Sequence, residues 1–439
     1  MAEYFGLLMF PVLVGFLLAG FPIAFSLMVT ALLFGWIRFE DRLIHMLVSK
    51  VDDVASNYIL GAVPLFVFMG AMLARSGIAE RLFYAIQLWT RRLPGGLAIA
   101  AVVMCTIFAA ASGIAGATET VVGMLAIPAM LKQAYDKRLI SGAVAAGGSL
   151  GTVIPPSITV IVLAPAADLS VGDLFAGIMF PGLLMALLFL VFIVILTGLN
   201  PKLAPPMPKS DTVSWGRLLW VTASALVPPA LLIFAALGTI LLGWATPTEG
   251  AACGALGTLL LAAVYRRLSI PVLSSSLMRT LSVTAMILMI LLGGAMFSGV
   301  FVASGGLRAT QALLTQYGLE GWPTVALILL LVFLAGFILD LISVILIIIP
   351  IAMPIVTGFG FDPLWFAIAF LVTLQTSYLT PPMAPAIFYL RAIAPPEIKL
   401  KHMYIGVLPF IGLQLLTLAA VLVFPELATW LPEQLRGFD

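Results

Sequence analysis

Charged residues are scarce in this sequence. Asp, Glu, Lys and Arg make up 9% of its 439 residues, whereas a soluble domain carries about 25%. Because 62% of the residues are hydrophobic, the composition excludes a soluble enzyme and a disordered protein. The formal net charge of +2 does not indicate a nucleic-acid partner. Histidine is represented only by His45 and His402, so no ordinary transition-metal site is indicated.

Cysteine is equally rare, which excludes a disulfide scaffold. Cys105 and Cys253 both lie inside apolar runs, and we interpret them as two buried small hydrophobic residues in preference to a disulfide pair. The first apolar run has no basic segment before it and no small-residue cleavage site after it. We therefore expect a retained membrane span there and not a signal peptide.

Apolar runs are what the sequence has in abundance, and its mean hydropathy is +1.19. Such runs predict a chain embedded in a bilayer, where a full crossing needs about 20 apolar residues. Several runs are shorter than that. The runs that could cross or enter a membrane lie at 4–20, 22–37, 60–75, 95–111, 119–134, 139–165, 174–198, 218–242, 245–264, 284–303, 321–339, 343–358, 363–392 and 403–424.

Two pairs of neighbouring runs are too close together for two separate crossings each. The pair within 95–134 is separated only by SGIAGAT, and the pair within 321–358 only by a few residues around Asp340. We interpret each pair as a re-entrant hairpin. An irregular backbone at membrane depth survives only where it is buried in protein or lines a cavity.

Two further runs are interrupted by tandem prolines. The run 139–165 carries prolines at 155–156, and the run 363–392 carries prolines at 381–382. Tandem prolines remove two backbone donors and block the preceding helical turn. We therefore predict one discontinuous helical crossing in each of these runs.

This assignment gives ten crossings and two hairpins, and the basic residues are distributed accordingly. If the N-terminus faces outward, sixteen Lys and Arg residues fall in cytoplasmic segments and the other five fall outside. That distribution satisfies the positive-inside rule. The cytoplasmic segments are 75–94, 132–138, 199–217, 265–283 and 391–402.

The two halves of the sequence resemble each other at an offset of 226 residues. Gly95 matches Gly321, Pro128 matches Pro354, Asp136 matches Asp362, and both tandem prolines coincide. Each half holds five crossings, an odd number, so the second copy must be inverted relative to the first. This arrangement is typical of secondary transporters, whose sites lie near the midplane between broken helices.

The predicted fold is therefore an all-α polytopic membrane protein, an inverted repeat of about five crossings plus one re-entrant hairpin in each copy. The first repeat covers 1–198, a polar, proline-rich cytoplasmic linker covers 199–217, and the second repeat covers 218–439. Three stretches mix charged and apolar residues, and we interpret them as interfacial amphipathic helices that brace the scaffold. These stretches are 41–58, 78–92 and 268–282.

The hairpin tips and the proline breaks are the places where chemistry is expected. Helix ends there leave unpaired backbone groups at membrane depth. Carbonyl ends suit Na⁺ and N-terminal ends suit a carboxylate, while hydroxyl oxygens are hard ligands. The alternative is that small residues at these places only let helices pack closely. In the first half, the candidate Na⁺ ligands are Ser112, Gly113, Ser149 and Thr152, and the candidate substrate contacts are Pro156, Ser157 and Thr159.

The second half repeats this pattern. Gly336 and Asp340 lie at the second tip, and the facing helix carries several hydroxyl side chains before its prolines. Asp340 is an intramembrane acid, which is a functional candidate by default, and it can also cap a helix. The candidate Na⁺ ligands here are Gly336, Asp340, Thr373 and Thr376, and the candidate substrate contacts are Ser343, Thr380 and Pro382.

Two further acids fall inside the predicted membrane region. Glu249 follows Thr246 by three residues, so we interpret it as part of a helix cap in preference to a ligand contact. Glu119 begins the second arm of the first hairpin. It can cap the tip or tune it electrostatically, and the sequence does not choose between these two roles.

Four stretches, GSLGTVIPPSITVIV, GWATPTEGAACG, ILDLISVILIIIPIAMP and YLTPPMAPAIF, in this order resemble the large membrane subunit of tripartite ATP-independent periplasmic (TRAP) transporters. The resemblance covers nearly the whole chain. It implies an elevator-type secondary transporter of the bacterial inner membrane, driven by Na⁺ and importing carboxylates such as C4-dicarboxylates, sialic acids or 2-oxo acids. It also implies a small four-helix membrane subunit and a periplasmic substrate-binding protein as partners.

The family's motifs transfer to this sequence with two departures. Asp340 and both tandem prolines match, but only Ser112 and Gly113 match the family's serine-rich first tip, and Ala384 replaces a glycine. The expected function is a binding-protein-dependent Na⁺ symporter for a small organic anion. The alternative is a stand-alone carrier that needs no binding protein. The spans contain no Ser-Lys dyad, paired aspartates or HExxH motif, so an enzyme is not expected.

Overall fold

The computed structural model describes residues 2–113, 115–205 and 214–436. Within these ranges all regular secondary structure is helical, which confirms the predicted all-α class. Ile114 of the predicted first tip and residues 206–213 of the predicted linker, with Lys209, lie outside the described residues, as do Met1 and the last three residues.

The first half begins with a 3-10 helix, Ala2–Leu8, and has further 3-10 turns at Tyr58–Gly61 and Leu150–Thr152. Its α-helices are α1 (Met9–Leu18), α2 (Ile23–Phe39), α3 (Arg42–Ala55), α4 (Ala62–Leu73), α5 (Ile78–Thr90), α6 (Gly96–Ser112), α7 (Ala115–Lys132), α8 (Lys137–Ser149), α9 (Ile158–Ala167) and α10 (Val171–Leu199).

The second half follows a short 3-10 turn, Pro201–Leu203, in the linker. Its first span, α11 (Trp215–Ile233), continues through a π-helical turn, Phe234–Gly238, into α12 (Thr239–Leu241). The remaining helices are α13 (Pro247–Val264), α14 (Ile270–Ala303), α15 (Gly306–Gln316), α16 (Trp322–Ala335), α17 (Leu341–Gly358), α18 (Pro363–Leu379), α19 (Pro385–Ile393), α20 (Leu400–Val423) and α21 (Glu426–Arg436).

Six helices of the described chain are long and apolar enough to cross a membrane: α10, α11 with α12, α13, α14, α17 and α20. A seventh candidate is α3 together with Tyr58–Leu73, a pair bent by 50°. Other apolar helices are shorter. Among these, α9 begins just after one proline break and α18 ends just before the other, while α6 and α16 are hairpin arms. The predicted breaks in 139–165 and 363–392 are both present.

Helix boundaries follow the 226-residue offset in detail. Helix α7 has the same length as α17 and begins 226 residues before it, and α8 begins 226 residues before α18. The N-caps match as well. Asp136 accepts from the Arg138 amide at 2.8 Å, and Asp362 accepts from the Trp365 amide at 2.7 Å. The internal repeat therefore extends from sequence to local structure.

Each half contacts the other in a reciprocal way. The second hairpin arm of the first half, α7, packs on the second part of the broken helix of the other half, α19. The equivalent helices, α17 and α9, also pack together. Gly116 makes the first contact possible, since a Cβ there would lie 2.7 Å from Cζ of Tyr389. Exchanged contacts of this kind are expected when a two-fold axis relates two copies.

Three details of the helix assignment differ from the prediction. The stretch 268–282 is not a separate amphipathic helix but the beginning of α14, because no proline interrupts that helix after Pro271. The first tip is shorter than predicted, since Gly116–Glu119 already belong to α7. Helices α15 and α21 were not predicted. The stretches 41–58 and 78–92 do form helices, α3 and α5.

The interior of the fold holds α6, α8 and α18, and every residue of α18 after Pro363 is buried. Helices α8 and α20 approach each other closely at Gly406. A Cβ at this position would clash with the carbonyl oxygen of Arg138, so only glycine allows the contact. Large apolar side chains on outer helices are exposed instead, as with Trp36, Ile37 and Leu231. An apolar exterior of this kind suits a lipid environment.

Candidate functional site

The first helix break is joined to the first hairpin tip. The amide of Ile158, at the start of α9, donates to the carbonyl oxygen of Gly113 at 3.3 Å. Gly113 has a φ of +65°, and a Cβ on it would lie 2.7 Å from the carbonyl oxygen of Pro156. Only glycine fits this close approach. The Ser157 hydroxyl donates to the Thr152 carbonyl oxygen at 2.8 Å. The predicted residues of tip and break therefore meet.

Four buried polar side chains form a cluster beside this break. Gln375 on α18 donates to Ser149 Oγ at 2.7 Å, and Thr152 donates to Oε1 of Gln375. Gln414 on α20 donates to Ser149 at 3.5 Å, while its Oε1 has no partner. Two predicted Na⁺ ligands, Ser149 and Thr152, are thus brought together with two glutamines.

The other two predicted ligands of the first half, Ser112 and Gly113, make their own contacts. The Ser112 hydroxyl pairs with the Thr118 hydroxyl across the tip at 3.2 Å. The next residue of α7, Glu119, is fully buried and accepts from the Tyr378 hydroxyl at 3.5 Å. In the part of the chain that the structure describes, Glu119 makes no helix-capping hydrogen bond.

The second hairpin tip is held by Asp340. Its carboxylate accepts from the amides of Ile342 at 3.1 Å and Ser343 at 3.4 Å, and also from the Ser343 hydroxyl. Asp340 therefore caps α17, as the alternative interpretation predicted. Gly336 lies against Ser377, whose hydroxyl donates to the Phe333 carbonyl oxygen at 2.9 Å.

The hydroxyls predicted on α18 are bonded to their own helix. Thr373 donates to the Ala369 carbonyl oxygen at 2.8 Å, and Thr376 donates to that of Val372 at 2.9 Å. Their oxygens retain lone pairs for a cation. No hydrogen bond joins Asp340 to either threonine within the described ranges, so these residues share packed helices, α16 to α18, but not a direct contact.

The predicted substrate contacts are distributed over both breaks. Thr159 in the first turn of α9 and Ser343 in the first turn of α17 belong to two helices that pack together. Thr380 donates to the Thr376 carbonyl oxygen at 2.6 Å. The breaks differ in exposure: Pro156 is buried, whereas Pro382 is exposed. Both Pro155–Pro156 and Pro381–Pro382 are cis.

Sequence reasoning missed Gln375, Gln414 and Tyr378 as members of this region. The signal was available, because a glutamine inside an apolar run is a polar group that needs a partner at membrane depth. What the sequence could not provide was the pairing, since the residues joined to Ser149 lie on two helices of the second half.

The two remaining sequence interpretations have clear outcomes. Glu249 forms the predicted capping box, accepting from the Thr246 amide at 2.8 Å while its own amide donates to Thr246 Oγ1 at 3.3 Å.

Cys105 is buried as expected, but Cys253 is exposed. Neither is in a disulfide.

The base of the first hairpin lies at the turn between α7 and α8. Tyr135 accepts from the Leu97 amide at 3.4 Å, and burial raises the pKa of its phenol. The Asp136 amide donates to the carbonyl oxygen of Leu203 at 2.8 Å. The beginning of the linker is therefore attached to the hairpin base.

Comparison with known proteins agrees with this architecture. Residues 10–427 match the family described as "Tripartite ATP-independent periplasmic transporter, DctM component". The C4-dicarboxylate TRAP transporter large permease protein DctM of Pseudomonas aeruginosa is 31% identical over 90% of this chain and 91% of its own length. The sialic acid TRAP transporter large permease protein SiaM of Vibrio cholerae is 30% identical over 97% of both. A solved structure, the YdaH transporter of Alcanivorax borkumensis, shares the fold with a TM-score of 0.59 and 18% identity, over 91% of this chain and 90% of that one.

Proposed function

The chain belongs to the DctM component family of tripartite ATP-independent periplasmic transporters, and we propose that it imports a small organic anion by Na⁺ symport. Its relatives are named transporter permeases and not enzymes. We infer a carboxylate substrate, such as a dicarboxylate, a sialic acid or a 2-oxo acid. The natural location is the bacterial inner membrane, which the chain would cross several times.

The observation that carries this proposal is the reciprocal packing of two hairpins and two broken helices. Helices α7 and α19 pack together, as do α17 and α9, so the interrupted backbone of both halves meets in one region. Broken helices at membrane depth provide carbonyl oxygens for cations and N-terminal amides for an anion. This supports coupled binding of Na⁺ and a carboxylate.

We assign the first Na⁺ to the region between the first tip and the first break. The donor set fits a hard cation, because Ser149 and Thr152 converge with the amide oxygen of Gln375, and the Gln414 amide oxygen there has no partner. The donors proposed from the tip are Ser112 and Gly113.

The second Na⁺ is assigned between the second tip and α18. Its donors would be Gly336, Asp340, Thr373 and Thr376, of which Asp340 supplies the negative charge. The substrate carboxylate would meet the helix N-termini at Ser157 and Thr159 on one side. On the other side it would meet Ser343 and Thr380. The second proline of each tandem pair, Pro156 and Pro382, would complete the contacts.

The transport step we propose is an elevator movement. The hairpins and broken helices, α6 to α9 and α16 to α19, would form the moving unit, and the remaining spans with α3 and α5 would form the scaffold. The repeats would be 1–198 and 218–439, inverted and joined by the cytoplasmic linker 199–217.

Each positive charge moved inward gains about 2.3 kcal/mol per 100 mV of membrane potential, and 1.4 kcal/mol corresponds to a tenfold accumulation of substrate. Two net charges therefore suffice for a large gradient.

The partners follow from the tripartite family: a small four-helix membrane subunit and a periplasmic substrate-binding protein. The test is uptake into proteoliposomes that contain this chain and its small subunit. A panel of labelled organic acids is added outside with or without the binding protein, and with or without an inward Na⁺ gradient.

Uptake that needs both the binding protein and Na⁺ is the expected result and identifies the substrate. Uptake without the binding protein would indicate a stand-alone carrier. Uptake that ignores Na⁺ would contradict both ion sites. The Glu249→Gln variant is a useful control, because Glu249 caps α13, which contributes no residue to the proposed sites, and its loss should leave the Na⁺ dependence unchanged.

A further inference from the structure

Glu119 is a buried acid that the proposed Na⁺ and substrate sites do not use. Its side chain is fully buried, at the second turn of α7. Its Oε2 accepts one long hydrogen bond, 3.5 Å, from the Tyr378 hydroxyl. Its Oε1 has no hydrogen-bond partner at all. Asp340 differs, because amides and a hydroxyl satisfy its carboxylate.

The space around Glu119 is closed by backbone. A Cβ on Gly148 of α8 would lie 2.9 Å from Cα and Cβ of Glu119, so the glutamate occupies the space that this glycine leaves. The closeness of α8 keeps water away from the carboxyl group. An ionised carboxylate is very costly in such a place unless it is paired or neutralised.

No cation is available within the described residues to pair with Glu119. The titratable side chains that face it are Cys105 on α6, Tyr378 on α18 and Tyr389 on α19, all of which are neutral or anionic groups. The charged residues on the helices packed on α7 form no salt bridge with Glu119. These residues are Glu80 and Arg81 on α5, Arg91 just after it, Lys137 and Arg138 on α8, and Arg391 on α19, whose guanidinium donates to the Ile398 carbonyl oxygen at 3.1 Å.

A metal ion does not fit this position as well as a proton does. Na⁺ needs several converging oxygens, whereas the Glu119 carboxylate has one hydrogen-bond partner, the Tyr378 hydroxyl at Oε2, and none at Oε1. A proton needs one oxygen. It forms an O–H bond on the carboxylate, changes the charge of the group from −1 to 0, and is supplied by hydronium of the solvent, which becomes water.

We propose that Glu119 is a proton-binding site that controls the packing of the first hairpin, so that the carboxyl group is protonated while α7 is packed against α8 and α18. The proton is taken from water as the hairpin closes and returns to water when Glu119 is hydrated. Because Glu119 lies on the first half and Tyr378 on the second, its charge acts at the contact between the two halves.

This inference goes beyond Na⁺ symport and does not depend on it. Alkaline solution should ionise Glu119 and weaken the closed packing, so uptake by the natural protein should fall as pH rises. Glu119→Gln keeps the shape and removes the titration. Its uptake should therefore be insensitive to pH over the same range.

The direct test is infrared difference spectroscopy of the purified protein with its small subunit during a pH titration, following the stretching band of protonated carboxyl groups. We expect a band at neutral pH that disappears at alkaline pH, is absent from Glu119→Gln and remains in Asp340→Asn. Because no substrate or Na⁺ gradient is needed, this result is independent of the proposed transport function.

Two outcomes would overturn the proposal. One is a neutral-pH spectrum in which Glu119→Gln removes no protonated band. The other is a band that Na⁺ abolishes at constant pH, which would make the position a cation site. If Glu119→Gln does not fold, Tyr378→Phe replaces it: loss of the hydroxyl should shift the band, and an unshifted band would mean that it does not belong to Glu119.

Discussion

Gln375 donates a 2.7 Å hydrogen bond to Ser149, and the two residues are separated by 226 positions, the offset that relates the two halves of the chain. Equivalent residues of two copies can touch only close to the axis that relates them. Both side chains are buried. The pair therefore lies at the contact between α8 and α18, where a pseudo-two-fold axis relating the two halves would pass.

Replacing Gln375 by Leu should destabilise the protein by about 1–3 kcal/mol, because Ser149 and Thr152 would lose buried hydrogen-bond partners. The measurement is thermal unfolding of the purified protein in detergent. A double-mutant cycle with Ser149→Ala separates the pair from general packing. Strict additivity of the two changes would show that the hydrogen bond does not contribute to stability.

Asp340 has a capping role and a proposed Na⁺ role, and two substitutions separate them. Asp340→Ala should abolish Na⁺-dependent uptake and cost about 0.5–2 kcal/mol through loss of the cap. Asp340→Asn keeps a capping oxygen but loses the charge, so it should fold normally and still lose Na⁺ dependence. Unchanged Na⁺ dependence of uptake in the Asn variant would remove Asp340 from the second ion site.

Two glycines on α20 provide a matched test of close helix packing. A Cβ on Gly406 would clash with the backbone of Arg138 and Gly142, whereas a Cβ on Gly412 would meet nothing within 4 Å. Gly406→Ala should therefore destabilise by about 1–3 kcal/mol, and Gly412→Ala should not destabilise. Equal melting temperatures for the two variants would contradict the close approach of α8 and α20.

The C-terminal helix α21 is fastened to α10 by an exposed ion pair and by apolar contacts. Arg436 Nη2 lies 2.5 Å from Asp173 Oδ2, and the carboxylate raises the pKa of the guanidinium. Exposed pairs contribute about 0.2–1 kcal/mol and are screened by salt. Arg436→Ala should lower the stability of the α21 contact by no more than that amount, because the Trp430 ring still packs on the Phe180 ring, with 5.7 Å between the ring centroids.

Hydrogen exchange in α21 measures this prediction at low and high salt. The difference between Arg436→Ala and the natural protein should shrink as salt is added. Trp430→Ala is the comparison variant and should increase exchange in α21 more strongly at both salt concentrations. A larger effect of Arg436→Ala would mean that the ion pair, and not the apolar contact, holds the helix.

Much of the site could be anticipated from composition and spacing alone. Tandem prolines disfavour the preceding helical turn, which predicted the breaks at 155–156 and 381–382, although Pro228 and Pro229 lie inside α11 without breaking it. Asp340 before a long apolar run indicated a cap, and Thr246 three residues before Glu249 indicated a capping box. These features depend on neighbours within four residues, which is why sequence was sufficient.

The sequence by itself determined the membrane class, the two hairpins, the two breaks and the repeat, because apolar length and backbone restriction are local properties. Only the tertiary structure decided which side chains meet: Gln375 with Ser149, Gln414 with the same serine, and Tyr378 with Glu119. These contacts join residues far apart in the chain. They arise from how the two halves pack against each other, and no local pattern in either half specifies that geometry.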